Sequence, residues 1–236
     1  MLKFICLTLF ILFNNLAAET IQVSIEFKGF KVADVSIKHN DNEIDIYAKS
    51  TVLANLFNYR FENSYWISKD NNYLPKKYIK KIEQHNFAEN TVTTYNHDQL
   101  HAVRQCLNKG DLTEYRLFSD TRDFFSALFY LRTVDLKKEH SFTIDNVGKL
   151  STISCKFITN EIIKTPIGVF NTTKVAISFK FIDSQPTARS DILTNNLVKP
   201  DNTLFFWFTN DENKIPVKAI YTLKRLSVNW VVRDIK

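Results

Sequence analysis

The stretch from His97 to His101 resembles a catalytic motif, but only superficially. The zinc-protease motif needs two histidines one helical turn apart with a glutamate base between them, and here Asp98 takes the glutamate position. Residues 91–95 indicate a strand and a turn, so the two imidazoles need not face the same side, and no clear third ligand follows. We therefore predict exposed loop histidines and no metal site.

The sequence also lacks a recognisable nucleophile motif. It contains no Gly-x-Ser-x-Gly elbow and no glycine-rich phosphate loop. Neither Cys106 nor Cys155 has a histidine neighbour in the sequence, which leaves open a neighbour in space. We predict that the protein is not an enzyme and needs no cofactor.

Arg132 ends an apolar segment, and an arginine beside a core needs a carboxylate partner because an unpaired buried charge is costly. We predict a structural ion pair between Arg132 and Glu161, with Asp135 as the alternative partner. This interpretation predicts that loss of the Glu161 charge destabilises the fold. The functional alternative is an anion-binding arginine at the mouth of a cavity.

Aromatic residues are concentrated around 125–130 and 205–208. Between a helix and a sheet such residues can line a lipid-sized cavity, or they can simply fill the core. The sequence leaves both arrangements open. For the cavity, the predicted ligand-binding residues are Phe125, Phe129, Tyr130, Arg132, Phe206 and Trp207.

The elements that must position these residues are mainly β-strands. Apolar and polar residues alternate in segments such as 21–27 and 175–181, which is typical of antiparallel strands with one buried and one solvated face. One helix is predicted at about 120–132, capped by Ser119 or Asp120 and largely buried, because apolar residues surround most of it. A second short helix is indicated near 51–58.

Two segments, 66–79 and 207–220, resemble each other. Each carries a tryptophan, a polar turn with Asp and Asn, and a proline before a returning strand, which predicts a β-hairpin. We predict a mainly β fold, a curved antiparallel sheet or open β-barrel from two similar halves around the helix. Chance similarity is the alternative, because hairpins share turn chemistry. Residues 183–202 are predicted to form a long loop.

The N-terminus has the parts of a secretory signal peptide: Lys3, an apolar run over 4–13, and small residues up to Ala18. The run of about ten residues is too short for a bilayer, which needs about 20. We predict cleavage after residue 18, a single domain over 19–236 without a transmembrane segment, and a periplasmic or otherwise exported location. In that oxidising compartment Cys106 and Cys155 can form a disulfide or remain small buried thiols.

The formal net charge is +6, and removal of Lys3 with the signal peptide leaves +5. The densest basic group, between Lys76 and Lys81, is predicted to be a solvated strand face. A mild positive charge can favour anionic lipid or polysaccharide. Nucleic acid is not an expected partner, because no basic stripe is present.

Three motifs together resemble the DUF3108 family of bacterial exported proteins: residues 125–132, residues 165–170 with Glu161 before them, and the hairpin 207–216. The resemblance covers about 20–236. The chain departs from the family pattern at Phe129, where tyrosine is usual, and at 137–139, where a glycine turn is replaced.

The resemblance implies a β-rich periplasmic or surface domain and no activity, because the family is one of unknown function. Periplasmic lipid carriers also wrap a curved sheet around an apolar helix, and this likeness is one of fold only. Our hypothesis is a non-enzymatic binding or carrier module for an apolar or amphipathic envelope molecule. The alternative is a structural or protein-interaction component of the envelope with a dry core.

Overall fold

The computed structural model describes residues 18–146, 148–182, 191, 194, 197–198, 202–223 and 226–236. Across these residues the protein is mainly β, with fifteen strands and two short helices. The predicted signal peptide falls almost entirely outside the described residues, as does most of the predicted loop over 183–202. Neither described helix is long and apolar enough to span a membrane.

The strands and helices follow one another along the chain with short connections. The first half of the chain contains β1 Glu19–Phe27, β2 Phe30–His39, β3 Glu43–Ser50, α1 Val52–Leu56, β4 Phe61–Lys69, β5 Pro75–Gln84, β6 Phe87–Asn96, β7 His101–Cys106 and β8 Asp111–Arg116. The second half contains β9 Arg122–Asp123, α2 Phe124–Tyr130, β10 His140–Asp145, β11 Leu150–Thr165, β12 Gly168–Phe181, β13 Thr203–Thr209, β14 Pro216–Leu223 and β15 Leu226–Ile235.

All the strands belong to one curved, open sheet in which sequence neighbours are also spatial neighbours. Its order runs from β8 back to β1, then from β15 back to β9, so β1 pairs with β15 and joins the two halves. The pairs are antiparallel except for β9 with β10. The predicted fold class is therefore confirmed. The two edges of the sheet are β8 and β9, and we call the gap between them the seam.

Alternation places one face of each strand inside the sheet. In β3, for example, Ile44, Ile46 and Ala48 are buried, while Asp45 and Tyr47 between them are exposed. Most inward side chains of both halves meet around α2 in one hydrophobic core, and Tyr95, Ala102 and Leu117 form a second, smaller cluster. This arrangement follows directly from the period-two pattern of the sequence.

Helix α2 is shorter than predicted and begins later. Its N-cap is Asp123, whose side-chain oxygen accepts hydrogen bonds from the amides of Phe125 and Ser126 at 2.9 and 3.1 Å. The predicted caps, Ser119 and Asp120, instead lie in the turn before β9. The helix is buried as predicted, since every residue from 124 to 129 is enclosed. The second short helix is confirmed as α1, with Thr51 as its N-cap.

The repeated segments form equivalent hairpins, β4–β5 and β13–β14. In each turn an aspartate, Asp70 or Asp211, accepts two backbone amide hydrogen bonds. The corresponding residues Tyr73 and Lys214 both have positive φ, 60° and 43°. In both hairpins the register shifts at the position that pairs with the proline. The structure therefore favours a true repeat over chance similarity.

Candidate functional site

The aromatic residues predicted to line a cavity pack as core. Phe125 and Phe129 are 4% and 1% exposed. The Phe129 ring stacks on His39 with centroids 4.4 Å apart, and the Phe125 ring tilts against Tyr65 at 5.0 Å. Tyr130 is half-buried and packs edge-on against another ring. None of these side chains lines the two clefts described below.

Phe206 and Trp207 lie in β13 and are also buried. The indole Nε1 of Trp207 donates a hydrogen bond of 2.7 Å to Glu161, and Lys174 approaches the same carboxylate at 3.3 Å. These partners hold the pKa of Glu161 below its usual value, the Trp207 hydrogen bond being the largest cause. Glu161 on β11 therefore links Lys174 on β12 and Trp207 on β13 through side-chain contacts.

The predicted ion pair between Arg132 and Glu161 is wrong, and Asp135 is not the partner either. Arg132 forms a bidentate pair with Glu19, with Nη–Oε distances of 2.5 and 3.0 Å. Its Nε also donates to the carbonyl oxygen of Asn213 at 2.9 Å. The last turn of α2 lies beside the start of β1, whereas Glu161 lies on β11 with its own partners. No role was predicted for Glu19, because it directly follows the predicted cleavage position.

This correction makes a prediction about stability. Glu19→Gln should lower the free energy of unfolding by about 1–3 kcal/mol, because it weakens two charge-assisted bonds to an arginine whose side chain is 11% exposed. Glu161→Gln should change it by no more than about 0.5 kcal/mol, because an amide oxygen can still accept from Trp207. Urea unfolding measures both. Equal losses in the two variants would contradict the assignment.

Cys106 and Cys155 are both buried free thiols. Of the two arrangements that the sequence left open, the structure therefore contains the thiols and not the disulfide. Cys106 ends β7 and Cys155 lies in β11, two strands far apart in the sheet order. Burial raises the pKa of the Cys155 thiol to about 12, which makes it a poor nucleophile. Both behave as small core residues.

His97 and His101 do not share a helix face. His97 lies in the turn before β7, where its Nε2 is 3.0 Å from the carbonyl oxygen of Pro75. His101 opens β7, and its Nε2 lies 3.5 Å from Glu114. In the described part of the chain, no group of three or more His, Cys, Asp or Glu side chains could hold a metal ion.

A cleft of about 660 Å³ lies at the seam. Its wall is mostly apolar, and Arg116 is the one positively charged side chain in it. We call it the seam cleft; it is lined by Leu100, Tyr115, Arg116, Leu117, Phe118, Ser119, Gly148, Leu150 and Ile182. The end of β8 supplies one wall, and the ends of β10, β11 and β12 supply the other. No sequence motif marks these residues, because each comes from an element end.

One buried carboxylate bridges the seam behind this cleft. Asp145 in β10 accepts hydrogen bonds from the hydroxyls of Tyr95 and Tyr115 at 2.8 and 2.5 Å, and from the amide of Gly148 at 2.7 Å. Burial raises the pKa of Asp145, although these donors and Arg104 oppose the rise. The bridge connects β10 with β6 and β8, which are not its neighbours in the sheet.

A second cleft, of about 360 Å³, lies beside α1 and is mostly polar. It is lined by Lys49, Ser50, Asn55, Asn58, Arg60, Phe61, Glu62 and His85. Several of these groups already bond one another: Ser50 donates to Asn55 at 2.6 Å, and Lys49 pairs with Glu62 at 3.0 Å. Because its polar groups are paired internally, this cleft offers a ligand less than the seam cleft does.

The interior also contains an ion pair that was not predicted from the sequence. Lys80 was placed on a solvated face, but its side chain is 4% exposed and its Nζ lies 2.5 Å from Oδ2 of Asp191. Asp191 also accepts from the hydroxyl of Tyr65 at 2.9 Å and from Thr194. Asp191 and Thr194, which lie between β12 and β13 in the chain, are thereby attached to the inside of β4 and β5.

Comparison with known proteins places this fold among others of unknown role. A family model described as "Protein of unknown function (DUF3108)" matches residues 21–224. No curated protein matches the chain. A solved β-barrel-like protein of the DUF1849 domain of unknown function, from Brucella abortus, has a TM-score of 0.57 and 8% identity, with 93% of this chain and 96% of that chain covered. At this identity the likeness supports the fold only.

Two further solved structures are more distant. A candidate lipoprotein from Parabacteroides distasonis has a TM-score of 0.35 and 14% identity, with 93% of this chain and 95% of that chain covered. A candidate exported protein with a YmcC-like fold, from Bacteroides fragilis, has a TM-score of 0.34 and 13% identity, with 92% and 95% covered. Likenesses at these scores carry no argument about this chain.

Proposed function

We propose that this chain, which belongs to the DUF3108 family, is an exported, non-enzymatic protein that binds an amphipathic molecule in the seam cleft. Export rests on the N-terminal segment, whose Lys3, apolar run and small-residue exit have the form of a signal peptide. The observation that carries the binding proposal is the cleft itself, with its mostly apolar wall and single cation.

The size and chemistry of the seam cleft suit such a ligand. Its volume falls within the range of about 300–1,000 Å³ that is usual for small-molecule sites. Five of its nine lining residues are aliphatic or phenylalanine, and they would contact an apolar tail. Arg116 lies among them and would attract an anionic head group. Phe118 and Ile182 are 48% and 42% exposed, so a bound tail would cover apolar surface on both.

The packed aromatic residues around α2 favour a second candidate function, a structural or protein-interaction component of the envelope. Phe129 and Phe206, for example, are no more than 3% exposed, so they fill space rather than enclose it. Native mass spectrometry of protein purified without detergent separates the two candidates. A stoichiometric lipid-like adduct supports binding in the cleft. A ligand-free mass that envelope lipids do not change supports the structural role.

A substitution in the wall of the cleft tests where binding occurs. Phe118→Glu should weaken binding of a dansylated fatty acid by about tenfold or more, because it removes an apolar ring from the wall and adds a like charge. Fluorescence titration measures the dissociation constant. The matched control is Leu112→Glu, since Leu112 is 59% exposed on the same edge of the sheet but lies outside the cleft.

The two variants should therefore differ, with Leu112→Glu binding like the unmodified protein. Arg116→Glu should weaken binding of the fatty acid but not of an uncharged long-chain alcohol. Only the acid has a charged head group that the guanidinium can attract. Equal affinities in all three variants would sink the proposed site.

A further inference from the structure

An apolar patch crosses one end of the sheet, far along the strands from the predicted cleavage position. It contains the tip of the β1–β2 hairpin, helix α1 and the turn that follows the helix. We call it the α1 face, formed by Phe30, Val52, Leu53, Leu56, Phe57 and Tyr59, which are between 39% and 77% exposed. Single exposed apolar residues are common, but a contiguous group of six marks an interaction surface.

The backbone holds these side chains outward. The amide of Thr51 donates to the carbonyl of Val32 at 2.9 Å, and its hydroxyl donates to the carbonyl of Lys31 at 3.1 Å. These bonds fix the start of α1 beside the hairpin that carries Phe30. After the helix, the amide of Tyr59 donates back to the carbonyl of Ala54 at 3.0 Å. The patch is therefore part of the ordered fold.

Helix α1 turns its apolar side away from the protein. Ala54 is the residue it buries, at 3% exposure, whereas Val52 and Leu56 are 77% and 75% exposed. Val52 and Leu56 lie four positions apart and so share one row of the helix, and Leu53 and Phe57 form the adjacent row. A surface helix ordinarily buries its apolar side. Here that side faces outward and has no covering element among the described residues.

Charged residues of both signs surround the patch, but within the described part of the chain two of the cations, Lys28 and Arg60, form no ion pair, whereas Lys31 and Lys49 do. Lys28 and Lys31 flank Gly29 and Phe30 at the hairpin tip, and Lys49 and Arg60 lie on either side of α1 in the chain. Four acidic residues are also near: Asp34 pairs with Lys31, Glu62 pairs with Lys49, and Glu83 lies opposite Glu62 in the sheet register. The fourth, Glu26, lies opposite Lys31 and pairs with Arg233. Exposed apolar side chains beside these two unpaired cations complement an anionic lipid surface, with its acyl region below its phosphates.

From this arrangement we propose that the α1 face docks the protein onto an anionic phospholipid bilayer. Val52, Leu56 and Phe57 enter the interface between head groups and acyl chains, and Lys28 and Arg60 contact phosphates. The proposal does not depend on the seam cleft, because the two surfaces share no residue. It does not depend on the identity of a bound ligand either.

Co-sedimentation with vesicles tests the proposal. The protein is expressed from its full sequence, purified, and mixed with vesicles of phosphatidylcholine alone or of phosphatidylcholine and phosphatidylglycerol in equal parts. We expect binding to the anionic vesicles that falls as salt is added. Leu56→Glu should weaken vesicle binding by about tenfold or more, because the bilayer interface then loses one apolar side chain that would be buried in it. Lys28→Glu with Arg60→Glu should weaken it to a similar degree.

The control is Ile162→Glu, which replaces a residue that is 69% exposed but lies in the β11–β12 hairpin. It should bind like the unmodified protein. Circular dichroism must show that Leu56→Glu stays folded, which its exposed position predicts. No sedimentation with anionic vesicles, or equal loss in Leu56→Glu and Ile162→Glu, would overturn the proposal. A dimer that only Leu56→Glu dissociates, without vesicle binding, would assign the face to a second copy and would also overturn it.

Discussion

Lys80→Met should lower the free energy of unfolding by about 3–5 kcal/mol, because it removes the Lys80 ammonium from the buried carboxylate of Asp191. Both side chains are almost fully enclosed, at 4% and 0% exposed. Burial would raise the pKa of Asp191, but the Lys80 ammonium and the hydrogen bonds from Thr194 outweigh it and the pKa is lowered. Urea unfolding followed by circular dichroism measures the loss.

Two further variants separate the ion pair from simple packing. The double variant Lys80→Met with Asp191→Leu should recover most of the loss, because neither charge of the pair is then left buried without the other. Lys81→Met is the matched control, since Lys81 is the exposed neighbour of Lys80 on β5, and it should cost no more than about 0.5 kcal/mol. Similar losses in Lys80→Met and Lys81→Met would mean that the interior pair contributes nothing.

The pair also predicts a dependence on pH. Because the pKa of Asp191 is lower in the folded state than its ordinary value of 3.8, the unfolded state binds the proton more readily. The stabilisation is therefore complete above pH 3.8 and is lost as the pH falls below it. The double variant, which has no such carboxylate, should lose less stability over that acidic range than the unmodified protein.

The position of Lys80 shows what an alternating pattern can and cannot predict. Alternation assigned the strands correctly, because it records which residues share a face of the sheet. It does not record whether that face is wet. In β5 the inward face carries Lys80 as well as the buried Ile82, so the basic group around it was interpreted as solvated. Its partner Asp191 is distant in sequence and had no pattern of its own.

Long sequence separation also explains the other missed contacts. Arg132 and Glu19 are 113 positions apart, and Tyr95 and Asp145 are 50 apart. Nothing local in the chain indicates such partners. The equivalent hairpin turns at Asp70 and Asp211, in contrast, were predicted because turn chemistry is local. The seam cleft was missed for the same reason: one wall comes from the end of β8 and the other from the ends of β10, β11 and β12, at the opposite side of the sheet order, and the sequence does not specify that these meet.

Asp145→Ala should also lower the free energy of unfolding by about 3–5 kcal/mol, because it removes three hydrogen bonds to one buried carboxylate. The buried hydroxyl of Tyr95 then loses that acceptor. The loss should be concentrated at the seam. Hydrogen exchange should therefore increase first in β8 and β10, while β2 and β3, on the far side of the sheet, keep their protection. Uniform loss of protection would mean that Asp145 stabilises the whole fold rather than the seam.

A milder variant shows how much one hydrogen-bond donor contributes to the stability of the bridge. Tyr115→Phe removes one donor and should cost about 1–2 kcal/mol, since Asp145 keeps Tyr95 and Gly148. Because Tyr115 also lines the seam cleft, this variant should loosen the cleft wall without changing its apolar character. Weaker fatty-acid binding in Tyr115→Phe, with the overall fold retained, would connect the closure of the seam to the shape of the cleft.

The protonation of Asp145 gives this prediction a pH dependence opposite to that of Asp191. Burial raises the pKa of Asp145 above 3.8, so the folded state holds its proton to a higher pH than the unfolded state does. Its contribution to stability is thus largest at low pH and declines as the pH rises above 3.8. The stability difference between the unmodified protein and Asp145→Asn should shrink over that rise. A difference that grows with pH would show that Asp145 acts in the bridge as a carboxylate favoured by its donors, with Tyr95 and Tyr115 outweighing burial.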